Sequence, residues 1–170
     1  MRTVLALAAL VLAAPVPAPA QQVDFDIQPT LDCIDEAMRS DHRPLCVGEA
    51  AQACVRGIPN AGPVDVSLCM ERETRYWAAR MTDALEEMRE KARGLDEEFA
   101  QTEMAEKVPF KLVEDLQLMQ DAWKAWREKR CAFEAMLHRG TPEASMSAAW
   151  CMVRTTGRQA LFLERSAQRD

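Results

Sequence analysis

No stretch of this sequence alternates apolar and polar residues for long enough to form a strand, so a β-sheet architecture is not expected. Nor is there a glycine-rich phosphate loop or a Gly-x-Ser-x-Gly elbow, and nucleotide binding and serine-hydrolase chemistry therefore lack their usual signatures. The only two histidines, His42 and His138, sit at turn-like positions, and His42 with Cys46 and Cys54 matches no compact zinc spacing. Positive charge is scarce: 21 Lys and Arg face 27 Asp and Glu, a formal net charge of −6. Nucleic acid and anionic lipid are poor partners for such a chain, because Lys and Arg supply the attraction to both. Beyond the first twenty residues no run approaches the ~20 apolar residues of a membrane span. There is no internal repeat and no low-complexity tract. The abundant carboxylates lie on polar helix faces and read as solvated surface. Met81, Met88, Met119 and Met146 fall on apolar stripes and read as packing rather than as a copper site. The chain is therefore expected to need no cofactor or metal and to carry no catalytic residue.

What is present begins with an export signal. Arg2 gives a positive start, Val4 to Ala14 is apolar, and Ala18-Pro19-Ala20 fits a small-x-small cleavage site. Residues 1–20 read as a signal peptide, with Gln21 the new N-terminus. The apolar run is too short to span a bilayer, and no Cys follows it directly to carry a lipid. The expected location is periplasmic or secreted, with no membrane insertion after cleavage.

Residues 21–29 read as a flexible arm and 30–164 as one all-α domain, an antiparallel bundle of about five helices. Thr30 caps a short first helix, and residues 45–56 form a second. Ser67 opens a long third helix with Trp77, Met81, Leu85, Met88, Ala92, Leu95 and Phe99 on one face. Glu71–Arg75 and Glu87–Lys91 are favourably ordered i,i+4 pairs along it. A fourth helix runs from about Pro109 to His138. Its stripe is Leu112, Leu116, Met119, Trp123, Trp126, Phe133 and Leu137, interrupted by Arg130. Gly140 ends it, and Thr141-Pro142-Glu143 opens a fifth bearing Met146, Trp150, Val153, Leu161 and Phe162, with a polar, frayed tail from Arg165. Trp123, Trp126 and Trp150 read as core, and Arg127 and Arg130 as structural ion-pair partners.

All six cysteines lie downstream of the signal, which in an exported chain reads as a disulfide framework. Cys131 and Cys151 flank the turn at 139–141 at nearly equal distances, so antiparallel helices set them opposite each other. Cys46 and Cys54 are about 12 Å apart along a regular helix, too far to pair. Cys33–Cys54 with Cys46–Cys69 is favoured, and Cys33–Cys46 with Cys54–Cys69 is the alternative.

The segment Trp123-x-x-Trp126-Arg127-x-x-x-Cys131, then Gly140, then Cys151 with Thr155, Thr156 and Arg158, resembles the C-terminal signature of the lysozyme inhibitor LprI-like family of bacterial exported proteins. Upstream, Cys46-Val-Gly-Glu-Ala-Ala-x-x-Cys54, and Cys69 followed by Glu-x-x-x-Trp77-x-x-x-Met81, resemble the N-terminal half of one subgroup. The likeness covers roughly residues 33–163. The sequence departs from the pattern at Glu128, where Asp is usual, and at Trp126, where Tyr is common. The family's threonine register points to Thr156, which leaves Gln159 in the place of its arginine. The resemblance implies a helical binding protein that inhibits lysozyme-type muramidases, with a basic muramidase or another envelope protein as partner. A different reading is a structural, envelope-associated interaction module that leaves lysozyme untouched.

Overall fold

The structure, a computed structural model, describes residues 23–37 and 43–169; the expected signal peptide and His42 lie outside them. The fold is all-α, with no strand among the described residues. Its helices are α1 (Gln28–Ala37), α2 (Glu49–Arg56), α3 (Pro63–Phe99), α4 (Leu112–Met136) and α5 (Glu143–Ala167), with a 3-10 turn at Arg43–Leu45. Three disulfides tie them.

The spine is α3. It buries Met70, Trp77, Met81, Ala84, Leu85 and Ala92, the steps of three and four that keep one face of a helix inward. α5 packs along α3 and runs parallel to it: Trp77 lies near Gly157, Arg80 pairs with Glu164, and Lys91 Nζ donates to the carbonyl of Ala167. α4 runs antiparallel to both. α5 is tightly packed at Gly157, where an added Cβ would lie 2.5 Å from Val47 Cγ1 and 3.1 Å from Trp77 Cε2. Gly157→Ala is expected to force these neighbours apart and cost about 1–3 kcal/mol, as overpacked cores do. An unchanged urea midpoint would show that the helices can separate freely there.

Five expectations are corrected. α3 starts at Pro63, not Ser67; proline suits a first helical position, and Asp65 Oδ2 accepts the Gly62 N–H at 2.9 Å. α4 starts at Leu112, beyond Pro109, because Asp96 on α3 caps it from outside, accepting the N–H groups of Leu112 and Val113. Residues 23–29 are not a loose arm: Val23 and Phe25 pack on the core and α1 begins at Gln28. The C-terminal tail stays helical through Ala167, held by the Arg80–Glu164 pair (Nε to Oε1, 2.7 Å). Burial opposes the charge of Arg80, but the carboxylate of Glu164 outweighs it and keeps the guanidinium pKa above its ordinary value. Of the two expected ion pairs on α3, Glu71–Arg75 forms at 3.3 Å, whereas Lys91 turns to the last turn of α5.

The N-terminal disulfides take the alternative arrangement, Cys33–Cys46 and Cys54–Cys69, with Cα–Cα distances of 5.5 and 5.8 Å. The favoured Cys33–Cys54 and Cys46–Cys69 pairing assumed that Cys46 lies on the second helix. That helix starts only at Glu49, so Cys46 sits in the preceding turn beside α1. The loop after Gly57 then folds back and brings α3 past Cys54.

Beneath this lobe is a fully buried carboxylate, Glu73. Its Oε1 accepts from Gly48 N (2.7 Å), Trp77 Nε1 (2.9 Å) and Thr30 Oγ1 (3.1 Å), and its Oε2 from Ala51 N (2.7 Å). Thr30 Oγ1 in turn accepts the Ala50 N–H at 2.9 Å. The first turn of α2 would otherwise bury unpaired donors. Glu73 and Thr30 satisfy them, and the carboxylate sits where the helix dipole favours negative charge.

Candidate functional site

The motif residues meet on the α4–α5 hairpin. Cys131 and Cys151 are bonded, with Cα atoms 5.3 Å apart. One turn back on α4, Arg127 lies over the ring of Trp123 at 4.9 Å and donates through Nη1 to the Oγ1 of buried Thr156 at 3.3 Å. Thr155 bonds back to the carbonyl of Cys151 at 2.7 Å. Gly140, at φ +84°, supplies the left-handed turn that reverses the chain after α4. At the next residues, the Thr141 hydroxyl donates to the His138 carbonyl at 3.0 Å. That neighbouring hydroxyl and the backbone N–H hold the Glu143 carboxyl below the usual carboxylate range.

Two motif residues do not join this group. Arg158 is exposed on the far side of α5. In the register set by Thr156 it is Gln159 that faces α4, donating to Gln120 Oε1 at 3.0 Å; Gln120 is itself fully buried and contacts Met81 Sδ at 3.5 Å. Trp126, expected in the core, is 49% exposed, with Arg130 stacked on it at 5.1 Å and tied to Glu134. The expected stripe mixed two faces. Its members spaced by seven drift round a helix of 3.6 residues per turn, and the face that goes inward is Leu116, Gln120, Trp123, Arg127 and Cys131. Leu112, Met119, Phe133 and Leu137 are exposed, as is Phe162 on α5.

Sequence reasoning also missed Gln120 and Gly157, and it took Glu73 as a motif member without seeing that it is a buried acceptor. Glu73 gave a signal: a carboxylate four residues from both Cys69 and Trp77 falls on the buried stripe.

Electrostatically the molecule has two ends. Residues 83–106, the second half of α3 and the start of the joint to α4, hold nine carboxylates against Arg89, Lys91 and Arg93. Their six excess negative charges equal the net charge of the whole chain. Around them Met104 and Phe110 are exposed. The other end, at the hairpin turn, is balanced: Lys129, Arg130 and Arg139 stand among Glu128, Glu134 and Glu143. Among the described residues no group of His, Cys, Asp and Glu is placed to hold a metal, and no helix is long and apolar enough to cross a membrane.

The sequence model described as "Lysozyme inhibitor LprI" matches residues 59–163, which span α3 to α5 and leave Cys33, Cys46 and Cys54 outside. The chain is 37% identical over 139 residues to the "Uncharacterized 17.7 kDa protein in puhA 5'region" of Rhodobacter capsulatus, covering 82% of this chain and 85% of that one. No solved structure matches. With its disulfide-locked hairpin and a match over most of its length, this chain belongs to the lysozyme inhibitor LprI family.

Proposed function

We propose that this is an exported muramidase inhibitor that acts by binding in the periplasm or outside the cell, after removal of residues 1–20. The observation that carries this reading is the acidic end. Exposed Asp83, Glu86, Glu87, Glu90, Glu97, Glu98, Glu103 and Glu106 form a one-signed field on α3 and the following joint. Such a field steers a basic enzyme and raises its encounter rate. Exposed Met104 and Phe110 offer apolar anchors within it. Family membership supports the inhibitor class, and three disulfides fit an oxidising compartment.

The test is turnover of cell-wall substrate by a basic muramidase as the oxidised protein is titrated in. Stoichiometric inhibition is expected, weakening as salt screens the field. Reversing Glu97, Glu98 and Glu103 together to Lys should weaken it by about tenfold or more. Absence of inhibition at micromolar protein would overturn the reading and turn attention to an envelope-associated role without lysozyme.

A further inference from the structure

Along α4, Leu112, Met119, Trp126 and Phe133 recur at every seventh residue and are exposed by 48, 37, 49 and 64%. A straight helix drifts about 20° per heptad, so they form one slanted apolar track beside the buried face. An open cleft of about 300 Å³ adjoins the track at Leu112 and Met119, and another of about 520 Å³ adjoins it at Phe133 and Leu137. An exposed apolar row on a surface marks an interaction face, and its seven-residue spacing matches that of a second copy of the same helix.

We propose that a second copy of this chain docks here, its α4 antiparallel to the first about a twofold axis. The charges on the track select this partner and direction. Exposed Asp115 lies beside the Leu112 end, and Arg130 beside the Phe133 end. When Leu112 meets Phe133 of the second copy, the same alignment sets Met119 against Trp126 and Asp115 against Arg130. Symmetry makes each contact twice. A parallel alignment would set Asp115 on Asp115 and Arg130 on Arg130, and like charges across an interface repel. Glu134 and the Trp126 ring already hold Arg130 in place, so its side chain loses little freedom on pairing. The inference does not rest on muramidase binding.

Sedimentation equilibrium of the oxidised protein tests it. A dimer of the 19.1 kDa chain (less any cleaved signal) is expected at about 10 µM. Asp115→Arg or Arg130→Asp alone should weaken dimerisation by about tenfold or more, and Trp126→Ser should do the same without changing charge. Asp115→Arg combined with Arg130→Asp should restore the dimer, because the exchanged charges meet again. All three substitutions are at exposed positions, and an unchanged circular dichroism spectrum separates lost pairing from lost fold. A monomer at about 100 µM, or a double reversal no better than either single one, would overturn the proposal.

Discussion

Glu73→Ala is expected to destabilise the oxidised protein by about 4 kcal/mol, a large part of the 5–15 kcal/mol that holds a typical domain together. The substitution strips the acceptor from four donors at once: the N–H groups of Gly48 and Ala51, the Trp77 indole and the Thr30 hydroxyl. Each buried orphan costs about 1–3 kcal/mol, and shared relaxation makes the total smaller than the sum. Thr30 also loses the partner that aims its oxygen at Ala50, so α2 loses its whole N-terminal support. Glu73→Gln keeps the volume but presents an amide N–H₂ to donors, and should cost about 1–3 kcal/mol. Glu71→Ala is the contrast. Its pair with Arg75 is more than half exposed on both sides, and the change should stay within about 0.5 kcal/mol. Urea unfolding of the three variants checks the ranking; equal midpoints for Glu71→Ala and Glu73→Ala would show that the buried carboxylate is dispensable.

Breaking the hairpin disulfide should have an effect of similar size. Cys131 and Cys151 are 20 residues apart, and closing a loop of that length is worth about 3 kcal/mol in the chain-entropy model. Cys131→Ser should therefore lower stability by about 2–5 kcal/mol and leave Cys151 open to alkylation in the denatured protein, read by mass. The link lies one turn from the Arg127–Thr156 contact and clamps the C-terminal end of α4 to the first half of α5. An unchanged thermal midpoint would mean that packing alone holds the hairpin. The Cys131→Ser protein should still sediment as the dimer if α4 stays folded, since neither cysteine lies on the exposed track.

Much of the fold was legible because helices announce themselves locally. Trp77, Met81, Leu85 and Ala92 recur at helical spacing, and Thr141-Pro142-Glu143 is a start signal that α5 obeys to within a residue or two. The hairpin disulfide was legible for the same reason: a single turn between two long helices leaves Cys131 and Cys151 one place to meet. The N-terminal pairing was not, because it depends on whether Cys46 stands inside a helix or in the turn before it, and no local pattern distinguishes the two. The motif was legible as a set, yet one of its members, Arg158, points away, and the role of contacting α4 falls to Gln159.

By itself, then, the sequence determined the helical class, the long spine and the locked hairpin, which follow from periodicity, turn chemistry and cysteine spacing, and its motif residues carried the resemblance to the family. Only the tertiary structure decided which polar groups go inside and which apolar ones stay out. Glu73 is buried because α2 begins over it and needs an acceptor there, and Gln120 because Gln159 arrives opposite. Trp126 and Phe133 remain exposed because α4 turns the neighbouring face, through Leu116 and Cys131, toward α3 and α5. A helix reveals in its sequence that it has an apolar side. Which of two adjacent sides faces the core is settled only by the helices that pack against it.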